Sequence, residues 1–181
     1  TQAGCRMGCA FCASTLNGLE RNLSAGEIYG EVVAVNRLNE GGLGEGRAVT
    51  NVVLMGSGEP LDNYDNVIGF LRLLNSPDGL NVSYRNISLS TCGLVPQIIR
   101  LADEGIAVNL TVSLHSPFQH KRIKLMPVSK KYPLLSVVEA AKYYFEKTGR
   151  RVIFEYTMIK GVNINHFDAL RLAELTKGFP S

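Results

Sequence analysis

Cys5-Arg6-Met7-Gly8-Cys9-Ala10-Phe11-Cys12 is the segment around which the fold is organised, because it places three thiols in one short loop at C-x3-C-x2-C spacing. The remaining cysteine, Cys92, is distant in sequence. Thiols this close together are typical of a metal or iron–sulfur site. This spacing is the strongest functional signal in the chain.

Two kinds of site use such thiols, and they differ in how the ligand set is completed. A structural zinc site closes its tetrahedron with a fourth Cys or His, often from a second C-x2-C pair, and the chain has no such pair. An iron–sulfur cluster held by three thiolates leaves one iron open for another ligand. Gly4 and Gly8 allow the loop to bend around a cluster. A zinc loop, or three unrelated reduced thiols, remains the alternative.

The cysteine spacing, with an aromatic residue directly before the third cysteine, resembles the cluster loop of the radical S-adenosylmethionine enzymes. The resemblance implies a 4Fe-4S cluster bound by Cys5, Cys9 and Cys12. It also implies that the open iron binds the amino and carboxylate groups of S-adenosylmethionine. Electron transfer then splits this cofactor to a 5′-deoxyadenosyl radical.

Length and composition indicate one globular domain. The chain has 181 residues, of which 45% are hydrophobic and 19% charged, enough for one core. It has no long apolar run, no signal peptide and no sign of paired cysteines, so we expect a cytoplasmic monomer without a membrane partner. The net charge of +3 permits a nucleic-acid partner without arguing for one. Because the chain begins at Thr1 with its cysteine motif beside the terminus, we read residues 1–181 as a central fragment of a longer protein.

Hydrophobic patterning predicts alternating strands and helices. Short apolar runs predict strands at 51–55, 86–93, 107–113 and 152–159. Helical periodicity predicts helices in between, the first beginning at a capping box that starts at Ser24 and the last capped by Asn165. Residues 17–22 are predicted to be turn-like. The fold class is therefore α/β, an open part of a (βα)6-type parallel barrel.

Candidate site residues follow the strands directly. Gly58 and Glu59 follow the first, Ser90 ends the second, and Ser113 and His115 end the third. Glycine lets a ligand approach the backbone, and a carboxylate accepts hydrogen bonds from an ammonium group. Because a parallel barrel places its reactive groups at the carboxyl ends of its strands, we expect these residues to meet the cysteines at one mouth. A glycine turn or a serine cap is the structural alternative.

Five segments in this order resemble the adenine-C2 and adenine-C8 RNA methyltransferases among the radical enzymes. They are Thr1-Gln2-x-Gly4-Cys5, Gly56-x-Gly58-Glu59-Pro60-Leu61, Ser90-Thr91-x-Gly93, Ser113-Leu114-His115 and Glu155-Tyr156-x-Met158. The resemblance covers nearly the whole chain. It implies S-adenosylmethionine contacts at Gly58, Glu59, Ser90, Ser113, Leu114 and His115. The chain is interpreted as closer to the C2 enzymes, and the C8 enzymes, known for antibiotic resistance, are the alternative, because these residues do not separate the two chemistries.

The resemblance also implies partners and missing parts. The C2 enzymes act on large-subunit ribosomal RNA and transfer RNA, and an electron donor such as flavodoxin is expected. An N-terminal RNA-binding domain and the C-terminal end are expected to be absent from the fragment, and the methyl-carrying cysteine and the general base are expected outside it. Cys92 is interpreted as a small buried residue. The basic segment 121–131 is either a phosphate contact or a solvated face, and Tyr143 and Tyr144 are expected to pack a helix. A zinc-binding, non-enzymatic RNA module is the rival from another class.

Overall fold

The structure is a computed structural model that describes residues 1–177. Its strands are β1 (Gln2–Gly4), β2 (Leu19–Asn22), β3 (Val52–Leu54), β4 (Ile87–Thr91), β5 (Asn109–Ser113) and β6 (Val152–Glu155). Its α-helices are α1 (Ala25–Leu38), α2 (Tyr64–Asn75), α3 (Val95–Asp103), α4 (Gln119–Leu125), α5 (Leu134–Thr148) and α6 (His166–Thr176).

Four of the strands form a parallel sheet in the order β3-β4-β5-β6. One row across the sheet joins Leu54, Leu89, Leu110 and Val152, all of them buried. Neighbouring parallel strands in this sheet are connected through helices, as βα units require. The predicted α/β class with a parallel sheet is confirmed, and the sheet is open.

Helix α5 packs against α3 and against β6. Tyr144 is fully buried, and its hydroxyl donates to the carbonyls of Ile106 at 3.0 Å and Val108 at 2.8 Å. The neighbouring Tyr143 hydroxyl donates to Asp103 on α3 at 2.6 Å. The prediction that both tyrosines pack a helix is thus confirmed.

The start of the chain differs from the prediction. Residues 17–22 were expected to be turn-like, but Leu19–Asn22 forms β2, which pairs antiparallel with β1. Gly4 has φ +79°, and a Cβ there would lie 2.0 Å from the Gly18 carbonyl oxygen. Only glycine permits this close approach. The polar β2 is therefore held by backbone pairing across the cysteine loop, which local composition cannot reveal.

Both predicted capping sites are present. Ser24 and Glu27 exchange hydrogen bonds at the start of α1, and Asn165 and Asp168 do so at the start of α6. Helix α4 was not predicted, because its seven residues carry mostly polar side chains without a helical stripe. Within residues 1–177, no helix has the length and apolar character needed to cross a membrane.

Candidate functional site

One cavity of about 420 Å³ lies at the carboxyl ends of the sheet strands. The loop thiols line it, together with residues that follow β3, β4 and β5. The predicted site residues that it brings together are Cys5, Cys9, Cys12, Gly58, Glu59, Ser90, Ser113 and His115. Leu114 is fully buried and does not line the cavity. The structure therefore places all but one of the predicted residues at a common mouth.

The cysteine loop is fixed at both sides by the backbone. The Cys5 N–H donates to the Gly18 carbonyl at 2.9 Å, and the Ala10 N–H donates to the Leu125 carbonyl at the end of α4, also at 2.9 Å. Arg6 adds a bidentate pair to Asp62, with N···O distances of 2.8 and 2.7 Å. The loop is thus tied to three separate parts of the chain.

Cys5 and Cys9 lie in an environment that favours their protonated thiols. Burial raises the pKa of Cys5. Burial, and then the neighbouring thiols of Cys5 and Cys12, raise the pKa of Cys9 to about 11. Within residues 1–177, no group of three or more His, Cys, Asp or Glu side chains is spaced as a single metal-ion site.

The residues present nevertheless fit an iron–sulfur cluster. All three loop thiols open onto the same cavity, and thiolates are the ligands that such clusters use. Binding to iron deprotonates a coordinating thiol outright and so reverses the pKa shift. The loop cysteines are the residues that would hold the cluster.

Gly58 and Glu59 are positioned by a residue that sequence reasoning did not single out. Gly58 has φ +93°, and a Cβ there would meet the Gln2 Cβ at 2.5 Å. Gln2 is buried, and its Oε1 accepts a hydrogen bond from the Glu59 N–H at 2.8 Å. The signal was present in the sequence, since Gln2 belongs to the Thr-Gln-x-Gly-Cys motif.

The Glu59 carboxylate forms part of the cavity wall although only 5% of the residue is exposed. Its Oε2 accepts from the Cys92 N–H at 2.8 Å, and its Oε1 accepts from the Leu61 N–H at 3.1 Å. Burial raises its pKa, and these hydrogen bonds oppose that shift. A buried acceptor in a cavity is suited to an ammonium group.

Ser90 has a carboxylate partner across the sheet. Its hydroxyl donates to Glu155 Oε2 at 3.3 Å, and Glu155 also lines the cavity. Glu155 was not among the predicted site residues. It is the last residue of β6. Because the predicted strand extended from residue 152 to residue 159, the rule that located Ser90 and Ser113 at strand ends did not reach Glu155.

His115 is held in a defined orientation. It has φ +54°, and its Nδ1 accepts from the Thr157 N–H at 3.0 Å, which assigns the proton of the neutral ring to Nε2. Its ring meets the Phe11 ring edge-on at 4.8 Å. Buried Asn163 fixes the backbone by donating to the His115 carbonyl at 2.7 Å. Burial and then the Arg122 charge lower the pKa of His115 to about 4.

This pKa shift predicts a pH dependence of stability. Between pH 6.5 and about 4, the unfolded chain protonates this histidine and the native protein does not. The free energy of unfolding should therefore fall as the pH falls through this window. In His115→Asn the amide oxygen can replace Nδ1 as acceptor, and asparagine tolerates positive φ. Urea unfolding from pH 7 to pH 4 should give a shallower decline for this variant. Equal slopes would show that His115 does not titrate as described.

The prediction that Cys92 is buried is confirmed, since 6% of the residue is exposed. It also lines the cavity, and burial raises its pKa well above the usual value.

The basic segment 121–131 was interpreted either as a phosphate contact or as a solvated face, and both interpretations are wrong for Arg122 and Lys121. Arg122 is fully buried, and Lys121 donates to both oxygens of Asp168 at 2.6 and 2.8 Å. Acceptors elsewhere in the fold engage both side chains.

Known proteins resemble this chain in sequence and in structure. The sequence matches the family described as the Radical SAM superfamily over residues 1–173. The probable dual-specificity RNA methyltransferase RlmN of Clostridium perfringens (strain 13 / Type A) is 54% identical over 98% of this chain and 50% of its own length. The protein of the same name from Lachnoclostridium phytofermentans is 52% identical over 98% of this chain and 48% of its own length. The chain spans about half the length of these relatives.

Solved structures agree on the fold. A radical SAM methyltransferase from Sphaerobacter thermophilus superposes with a TM-score of 0.92 at 45% identity, covering 99% of this chain and 52% of that one. Streptococcus suis SuiB, solved bound to S-adenosylmethionine, gives a TM-score of 0.66 at 14% identity over 97% of this chain and 36% of its own, a likeness of fold. Because the family match covers nearly the whole chain, this protein belongs to the radical SAM superfamily.

Proposed function

We propose that this chain is the cofactor-binding core of a radical S-adenosylmethionine RNA methyltransferase that methylates C2 of adenosine in large-subunit ribosomal RNA and transfer RNA. The observation that carries the proposal is the single cavity in which three loop thiols meet Glu59 and Ser90. The relatives named as dual-specificity RNA methyltransferases support RNA as the substrate and two RNA classes as its source.

Each wall of the cavity has a task in this proposal. Cys5, Cys9 and Cys12 would hold a 4Fe-4S cluster, and the chemistry that it would supply when bound is one-electron reduction of S-adenosylmethionine. Glu59 accepts a hydrogen bond from the methionine ammonium group, because its carboxylate is buried and opens onto the cavity. Gly58 lines the cavity with its backbone exposed to the ligand, and the space that a Cβ would fill there is taken by the Gln2 side chain.

Other residues of the cavity wall are assigned to the rest of the cofactor. The Ser90 hydroxyl donates its one proton to the Glu155 carboxylate, so the oxygen atoms of both side chains present acceptors to ligand hydroxyls. Ser113 and His115 lie beside them, and the neutral His115 ring keeps one N–H donor. Phe11 packs against that ring and excludes water from this part of the cavity.

Leu114 takes part through its backbone. Its N–H donates to the Glu155 carbonyl at 3.0 Å and its carbonyl accepts from Arg122 Nε at 3.1 Å, so it fixes the ends of β5 and β6 beside the cofactor. The proposal includes a one-electron donor such as flavodoxin, a monomeric state and a cytoplasmic location. RNA binding and the methyl-carrying cysteine belong to the whole protein.

The regiochemistry is tested by analysis of the modified nucleoside. The full-length protein and the 181-residue chain are each reconstituted and incubated anaerobically with reductant, isotopically labelled S-adenosylmethionine and either ribosomal or transfer RNA. The RNA is then digested to nucleosides. We expect labelled 2-methyladenosine from both RNAs with the full-length protein, and none with the chain alone. Labelled 8-methyladenosine instead would contradict the C2 assignment.

A further inference from the structure

Arg122 is the largest fully buried side chain of the described residues, and its charge has no ionic partner there. The guanidinium makes four hydrogen bonds, all to neutral acceptors. They are Nε to the Leu114 carbonyl at 3.1 Å, Nη1 to the Ser129 hydroxyl at 2.7 Å, and Nη2 to the Cys92 and Ser113 carbonyls at 2.8 and 3.1 Å. Within residues 1–177, no ion pair joins it to a carboxylate.

Such a charge is costly to bury. Arginine cannot be deprotonated in a protein, so the folded chain must hold a cation away from water. Carbonyl dipoles satisfy its N–H groups but do not neutralise it. The neighbouring cation Lys121, which is only partly buried, is paired with Asp168. The fold therefore buries the positive charge of Arg122 without a carboxylate partner among the described residues.

The Arg122 side chain lies directly behind the cavity wall. Arg122 does not line the cavity, but Cys92 and Ser113, whose carbonyls it binds, both do. Its charge acts on the thiols of Cys9 and Cys92 and on His115. Helix α4, which carries Arg122, also supports the cysteine loop through the hydrogen bond from the Ala10 N–H to the Leu125 carbonyl.

The missing negative charge is the one that the proposed cluster would bring. A 4Fe-4S cluster held by three thiolates carries roughly one net negative charge when oxidised and roughly two when reduced. A fixed cation nearby stabilises the reduced state more than the oxidised state, because the added electron increases the attraction. Net charge around a cluster is one of the quantities that set its reduction potential.

We infer that Arg122 is a positioning residue that acts as the buried counter-charge of the cluster and raises the potential at which the cluster accepts an electron. The inference rests on the proposed function, since it needs a cluster on Cys5, Cys9 and Cys12. It assigns to Arg122 a role beyond joining the ends of β4 and β5, and the two roles predict different results when the charge alone is removed.

The test is a reductive titration of reconstituted protein, followed by electron paramagnetic resonance at controlled solution potentials. Wild type is compared with Arg122→Met, which removes the charge, and Arg122→Lys, which keeps it. Ser129→Ala removes one hydrogen bond and leaves the charge in place. We expect the Met variant to lower the reduced-to-oxidised ratio at a fixed potential at least tenfold, a shift of about 59 mV for a one-electron couple. The Lys and Ala variants should stay close to wild type.

Other results decide against the inference. An unchanged potential in Arg122→Met, or an equal shift in Arg122→Lys, would mean that the charge does not act on the cluster. If the Met variant does not fold, Arg122→Gln replaces it, as a neutral side chain that keeps hydrogen bonds. Loss of the cluster from the neutral variants but not from the Lys variant supports the role of charge, and loss from all of them assigns Arg122 to structure alone. A wild type that binds no iron overturns the proposed function itself and with it the inference.

Discussion

Cys9→Ala should remove most of the iron and nearly all of the brown colour from anaerobically reconstituted protein. Cys9 lies between Cys5 and Cys12 in the loop sequence, and all three line the cavity. A cluster that loses one of three thiolates keeps two protein ligands, and the cofactor does not replace the third. Iron and acid-labile sulfide, measured per protein chain, give the loss directly.

Cys92→Ala is the matched control. It removes a thiol from the same cavity, one that lies on the Glu59 side and is buried. Because the proposal assigns no ligand role to Cys92, this variant should retain its iron. Full iron in Cys9→Ala would be incompatible with the loop as the cluster site. Loss in Cys92→Ala alone would move the site toward β4.

Glu59→Ala should weaken binding of S-adenosylmethionine to the reconstituted protein by roughly tenfold to a hundredfold. A hydrogen bond to a charged group contributes about 1.5–3 kcal/mol, and each tenfold change in affinity corresponds to about 1.4 kcal/mol. The same change leaves the N–H groups of Cys92 and Leu61 without their acceptor. An unpaired buried donor costs about 1–3 kcal/mol, so the free energy of unfolding should fall as well.

Two variants separate binding from stability. Glu59→Gln keeps the size and one acceptor oxygen but loses the negative charge, so it should retain more stability than Glu59→Ala and still bind the cofactor poorly. Glu139→Ala removes an exposed carboxylate from α5 and should change neither quantity. Isothermal titration calorimetry gives the affinity and urea unfolding gives the stability. Wild-type affinity in Glu59→Gln would show that Glu59 serves structure alone.

The sequence predicted the parts of the fold that depend on local patterns. Apolar runs located the four sheet strands, and the side chains of Ser24 and Asn165 located two helix starts. The carboxyl-end rule for parallel strands then predicted that Glu59 and His115 meet at one mouth, and both line the same cavity. Two predicted strands were longer than the observed ones: the predictions ended at residues 55 and 159, whereas β3 ends at Leu54 and β6 ends at Glu155.

The features that were missed depend on partners distant in sequence. Gln2 is a site-positioning residue only because the fold brings it to Glu59 and Asp62, which lie 57 and 60 residues away in the sequence. Arg122 lies in a run of lysines that is typical of a solvated face, yet strand-end carbonyls accept its hydrogen bonds inside the protein. β2 is polar and pairs only because Gly4 admits the Gly18 carbonyl. Tertiary contacts decide each of these cases.

The central claim is that the three loop cysteines bind an iron–sulfur cluster, and one elemental analysis tests it most directly. Wild-type protein is purified anaerobically, reconstituted with iron and sulfide in the presence of zinc, desalted, and measured for iron, zinc and acid-labile sulfide per chain. The account predicts roughly four irons and four sulfides per chain and little zinc, as a 4Fe-4S cluster requires. About one zinc per chain without sulfide would contradict it and would favour a zinc-binding RNA module without enzymatic activity.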